Sequence, residues 1–271
     1  MNSLPSHDTP CKVRRMRRWV ASLAFPLALS VSSPVLAQDE EAKRILKAMA
    51  DYVTAQQQIQ LTYDVDIEVI TPHLEKLQFA SSGDLKLARP DKLQATRSGG
   101  YAHVELFFDG KTATVYGEDS NAFAQVEMPG SLDQMIDRLR AEHHIEMPGA
   151  DLLLSDLYEE LAAGVIEAKY IGRGVVDGVE CEHLAFRNRE TDWQLWVEPG
   201  TAPIPRKYVI TSKTLAAAPQ YTLRIKSWDT KTPLDAGAFA FEPPEGAKSV
   251  EFTALTGIGE LPPPAEAPKE Q

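Results

Sequence analysis

Cysteine is nearly missing from this sequence: Cys11 and Cys181 are the two it contains. Cys11 lies ahead of an export-type segment, so only Cys181 belongs to the body of the protein, and an internal disulfide is excluded there. Fold stability must then rest on an apolar core. Long apolar runs are missing too. The longest, from Trp19 to Leu29, is interrupted by Pro26 and falls short of the roughly 20 residues a membrane-spanning helix needs. Excess basic charge is absent, with 28 Lys and Arg against 39 Asp and Glu. An acidic surface repels nucleic acid and anionic lipid headgroups, and both are poor partners. No G-x-S-x-G elbow, P-loop or H-E-x-x-H helix occurs. Gly172-Arg-Gly174 lies between strands with no helix after it, which rules out a dinucleotide fingerprint.

What is present begins with an address. Arg14 to Arg18 read RRMRR, an apolar stretch follows, and Ser-Pro-Val-Leu-Ala ends at Ala37. A basic start, a short apolar middle and a small-residue site describe a signal peptide over residues 1–37. Gln38, rather than a lipid-accepting cysteine, follows the site, which argues for a protein exported without a lipid anchor, to the periplasm in a Gram-negative cell. Removing the leader's five basic and one acidic residues leaves 23 and 38, a net charge near −15.

Residues Glu40 to Gln57 carry Ile45, Leu46, Met49 and Val53 at helical spacing, so the body opens on an amphipathic helix. The period then changes to two. Strands are expected at 59–69, 74–87, 93–97, 103–108, 113–116 and 122–126, with Asp109-Gly110 as a tight turn. Ser131 reads as the N-cap of a second helix through Leu139, and a third is expected over 151–163, stopped by Gly164. A second run of strands follows at 165–171, 175–176, 179–187, 192–198, 206–212 and 220–228. Residues 38–252 form one domain, and the Pro-rich stretch 253–271 reads as a disordered tail. Short turns imply antiparallel neighbours. The expected fold is α+β: a large curved antiparallel sheet of about eleven strands, an unclosed half-barrel wrapped around a few helices.

The second strand block contains Tyr170-Ile-Gly-x-Gly, Asp177-Gly178-Val-x-Cys181-x-His183-Leu-Ala-Phe186, and Asp192-Trp193-Gln-Leu-Trp196-Val-Glu198. Pro205-Arg206-Lys207-Tyr208-Val-Ile-Thr and Phe239-x-Phe241-x-Pro243-Pro-x-Gly246-Ala247 follow. This pattern resembles a bacterial family of predicted periplasmic proteins classed as a domain of unknown function. That family is similar to the lipoprotein-localisation factors LolA and LolB and to the sensor domain of RseB/MucB-type envelope-stress regulators. The resemblance implies a half-barrel whose apolar hollow accepts acyl chains; it carries over no residue of assigned role.

The residues offer their own candidates for such a hollow. Leu106 and Phe108, Leu184 and Phe186, Trp193 and Leu195, Tyr208 and Ile210, and Tyr221 and Leu223 form alternating apolar rows on successive strands. The same rows would serve as ordinary core, and whether helices fill the hollow is not written in the periodicity. Trp196, on the opposite face from Trp193, is either a surface aromatic or a rim residue. Cys181 sits in an alternating segment and reads as buried filler before nucleophile or ligand. Glu142-His143-His144-Ile145-Glu146 lacks the spacing of a metal-binding helix, and no metal, cofactor or catalytic residue is expected. The leading expectation is a non-enzymatic periplasmic carrier that holds a lipid, acyl chain or lipoprotein. A module that engages another envelope protein through its sheet edge or tail is the alternative, and an unrecognised hydrolase the third.

Overall fold

A computed structural model describes residues 34–143, 145, 147–255 and 258–259. Most of the expected signal peptide, His144, Glu146 and most of the expected tail lie outside the described residues. The chain runs α1 (Pro34–Ala55), β1 (Gln58–Ile70), β2 (Lys76–Ala88), β3 (Lys92–Gly99), β4 (His103–Phe108), β5 (Thr112–Gly117) and β6 (Ala122–Glu127). After α2 (Leu132–His143), a 3-10 turn (Ala150–Leu153) and α3 (Leu157–Ala162) come β7 (Glu167–Val176), β8 (Val179–Arg187), β9 (Thr191–Val197), β10 (Pro205–Ser212) and β11 (Gln220–Asp229). A second 3-10 turn (Ala236–Phe239), the two-residue β12 (Lys248–Ser249) and a third 3-10 turn (Phe252–Ala254) complete it. None of the described helices is long and apolar enough to cross a membrane.

All twelve strands form one sheet in the order β12-β6-β5-β4-β3-β2-β1-β11-β10-β9-β8-β7. Two hairpin meanders are therefore zipped together where β1 pairs antiparallel with β11. The first and last strands of the order do not pair, so the sheet stays unclosed. Eleven strands are antiparallel to their neighbours as expected. The twelfth corrects the expectation, because β12 pairs parallel with β6. A parallel partner needs a long connection; here everything from α2 through β11 lies between β6 and β12, and residues 230–247 bring the chain back across the outer face.

That connection explains the Phe-x-Phe-x-Pro-Pro motif. Phe239 is buried. The Phe241 ring nests among Phe107, Tyr116 and Phe123 at centroid distances of 5.4, 5.7 and 5.0 Å. These side chains lie on the outer face of β4–β6, and after β12 the chain turns around the β6 edge to the inner face. There Leu255 is buried and the Ile258 carbonyl accepts a hydrogen bond from Arg97 Nη2 at 2.6 Å. Leu255, among the first residues of the stretch expected as a tail, is thus packed on the sheet.

The helices fill the inner, concave side. On α1, Ala42, Ile45, Leu46, Met49 and Val53 face the sheet, while Lys43–Asp39 and Lys47–Asp51 pair on the solvent side at 2.7 Å each. The helix begins at Pro34 rather than at Glu40 and so crosses the processing point expected after Ala37; proline is well suited to a first turn. On α2, the Ser131 hydroxyl accepts from the Gln134 amide while the Gln134 side chain accepts from the Ser131 amide, a reciprocal cap. The third helix departs from its expected length. Ser155 donates through its amide and hydroxyl to Asp133 of α2, Leu154 is extended, and the segment splits in two. Successive helical residues point about 100° apart, whereas the broken segment turns Leu152, Leu153 and Leu154 all inward.

At the far edge the two expected pieces of strand 165–171 and 175–176 are one strand, β7, interrupted by a bulge between Tyr170 and Gly172. Gly172 takes φ 120°, a conformation side chains rarely adopt.

Candidate functional site

The register places all ten candidate residues on one face. Phe108 lies opposite Leu93 and Leu106 opposite Ala95. Leu184 faces Leu195 and Phe186 faces Trp193. Tyr208 and Ile210 face Leu195 and Trp193 on one side, and Leu223 and Tyr221 on the other. The structure thus assembles a concave apolar surface from both meanders, joined through Val65–Leu223 and Ile67–Tyr221.

Six of the ten are sealed. Phe108, Leu184, Phe186, Trp193, Leu195 and Tyr208 are buried in one core with the inward faces of α1, α2 and α3. Phe186 stacks on Trp193 at 3.9 Å, Tyr208 meets the same indole edge-on at 5.9 Å, and Trp193 Nε1 donates to Asn188 Oδ1 at 3.2 Å. Burial pushes the Tyr208 hydroxyl well above its ordinary range. The other four, Leu106, Ile210, Tyr221 and Leu223, are half-buried at the margin of that core. Around them lie residues the alternation did not single out. Tyr63 crosses the strand at Gly83, where an added Cβ would come within 2.5 Å of the ring, and its hydroxyl donates to the Thr96 carbonyl at 2.8 Å. Ile145, Met147 and Phe252 pack in from loop and tail. No sequence period marks these three, because each reaches the face from a loop or a single 3-10 turn.

A second apolar cluster covers the concave side of the first meander. Val115 and Ala124 are buried with Leu255, and Val104, Leu106, Phe252 and Ile258 pack against them. The His143 ring rests 4.5 Å from that of Phe252.

The convex face has different chemistry. Trp196 stacks on His183 at 4.0 Å, Lys207 Nζ sits 4.8 Å from the indole, and an added Cβ at Gly174 would lie 3.0 Å from Trp196 Nε1. Trp196 is therefore an outer-face aromatic rather than a rim residue. Desolvation lowers the His183 pKa, against the raising effect of the hydrogen bond between its Nε2 and the acceptor Gln194 Oε1 at 2.9 Å. Cys181 is fully buried on this face, and burial raises its thiol to about 11, so it stays protonated. Arg206 pairs with Glu198 at 2.5 Å and His103 with Asp119 at 3.1 Å. Asp64 accepts from Ser82, and Asp66 binds Arg224. A groove of about 310 Å³, whose lining includes Thr62, Tyr63, Asp64, Ser82, Asp84 and Lys226, is open to solvent. Among the described residues no group of three His, Cys, Asp or Glu side chains is placed to hold a metal ion.

No curated protein matches the sequence. Among solved structures the chain is similar to LppX from Mycobacterium tuberculosis, with 13% identity, a TM-score of 0.45, and coverage of 73% of this chain and 100% of that one. LprF from Mycobacterium bovis gives 13% and 0.45 over 73% and 97%, and a LolA superfamily protein from Nitrosomonas europaea 11% and 0.27 over 74% and 97%. Residues 42–253 match the family described as "Predicted periplasmic protein (DUF2092)". That span takes in α1 apart from its first turns, every strand and both later helices, and the chain belongs to this family of predicted periplasmic proteins.

Proposed function

We propose that this protein is a non-enzymatic periplasmic carrier that holds an acyl chain of a lipid or lipoprotein against the concave face of its sheet. One observation carries the reading. The concave face is apolar across both meanders, yet it is covered by separate helices, turns and loops of the same chain rather than by a second sheet. A sheet keeps its own ladder hydrogen bonds when a covering piece moves, so the cover can yield while the scaffold stays folded. The loop around Gly149, whose φ of 85° suits glycine, links α2 to the broken third helix and lies against Tyr221 and Leu223. Apolar chains bind such surfaces through area removed from water, roughly 25 cal/mol per Å², with no covalent step.

The test is an organic extract of the protein, purified from the periplasm without detergent and analysed by mass spectrometry. A stoichiometric lipid or lipopeptide is expected. A blank extract from a well-folded protein would sink the carrier reading and transfer the role to engagement of another envelope protein.

A further inference from the structure

Helix α1 runs unbroken from Pro34 to Ala55, across the processing point that the leader sets between Ala37 and Gln38. From Gln38 on, Ala42 is the first residue to enter the core, while Gln38 and Glu40 are exposed. A cut after Ala37 therefore makes Gln38 the exposed first residue of a helix whose core contacts begin one turn later. The amides of Asp39, Glu40 and Glu41 then lose the carbonyls four residues back that the helix supplies. Their uncovered N–H groups put positive potential where the new terminal ammonium also stands. Two of the nearby carboxylates are already engaged. Asp39 accepts from Lys43 at 2.7 Å, and Glu41 takes both prongs of Arg44 at 2.6 and 2.9 Å.

Resting on the leader rather than on the carrier reading, we infer that Gln38 is a modification site: once processed, it closes on its own terminus to pyroglutamate. The neutral amine attacks the side-chain Cδ. The N–Cδ bond forms, the Cδ–Nε2 bond breaks, and Nε2 leaves as ammonia with the proton that the amine gives up. No oxidant, reductant or second substrate enters. An α-amino group titrates near pH 8, so part of it is neutral and reactive near pH 7. Exposure of Gln38 leaves the five-membered ring room to close. The ring nitrogen is uncharged, so closure removes the charge that the start of α1 disfavours.

The test exports the full chain from its own leader in a Gram-negative host and weighs the periplasmic product intact. The expected mass is that of residues 38–271 less one ammonia. Edman degradation is expected to fail until a pyroglutamyl peptidase removes the ring and exposes Asp39. The Gln38→Asn variant keeps an amide but lacks the carbon for a five-membered ring, so it retains its ammonium. The fold disfavours that ammonium and lowers its pKa, and the unfolded chain binds the proton first as pH falls. Relative to the native protein, the variant's folding constant from urea titrations is expected to drop about two- to fivefold on passing below pH about 8. Capping by the asparagine side chain would act equally on both sides of that pH. A full-weight chain that begins at Gln38 and degrades freely, or a chain that begins elsewhere, would overturn the modification. A blocked chain whose stability relative to the variant does not change with pH would overturn the role given to its charge. Neither result touches the carrier reading.

Discussion

At the scale of single residues, the two faces of one strand show how much alternation can tell. Trp193 and Trp196 lie three apart on β9, and the first is sealed in the core while the second stacks outside on His183. The sequence placed them on opposite faces because strand side chains alternate. It left Trp196 undecided because nothing local shows that Gly174, on a strand two away, leaves room for the indole. His183 has a measurable consequence. Its burial lowers the imidazole's pKa in the fold, whereas the unfolded chain protonates near pH 6.5. As pH falls through 6.5 the unfolded state takes up the proton first, so stability declines on the acid side. Urea titrations of wild type and His183→Gln are expected to diverge below about pH 6.5, with the variant losing less; parallel curves would contradict it. Substitutions for testing lipid uptake belong at half-buried Leu106, Ile210 or Leu223. Phe108 and Leu184 have no exposed surface, and a charge there would unfold the protein before it reported on binding.

At the scale of elements, eleven strands and the first two helices were legible, because periods of two and 3.6 are local properties of the chain. Ser131 was legible as a cap for the same reason. Ser131→Ala is expected to cost about 1 kcal/mol, read as a shift in urea midpoint with unchanged slope; no shift would mean that α2 is held by packing alone. The broken third helix was not legible. Leu152 to Leu161 fit a helical pattern, and only the tether from Ser155 to Asp133, 22 residues away in sequence, interrupts it. Nor was β12: two residues carry no period, and their pairing with β6 depends on a chain that has first crossed the outer face.

At the scale of the whole molecule, the apolar rows announced a concave surface without naming what would cover it. Periodicity reports which side of a strand is apolar, but the covering pieces came partly from a tail whose prolines and charges read as disorder. The resulting core runs continuously from Leu87 and Phe108 in the first meander to Leu184 and Trp193 in the second. Such continuity predicts one cooperative transition. The described tryptophans, Trp193, Trp196 and Trp228, all lie in the second meander, so their fluorescence reports on that half while far-UV circular dichroism reports on both. Coincident urea curves are expected; a fluorescence transition separated from the dichroism would show that the halves unfold independently.

An open sheet offers two free borders on which a neighbouring molecule can stack strand upon strand. At one border stands the two-residue β12, Lys248 and Ser249, which pairs with only the first two residues of β6. At the other the bulge at Tyr170–Gly172 breaks the line of β7 and Lys169 stands exposed on it. Ile171 and Val175 stay open to water there, yet an incoming strand would meet a ladder out of step after four residues. By that one irregularity this border of the half-barrel resists the strand-on-strand stacking by which fibrils grow.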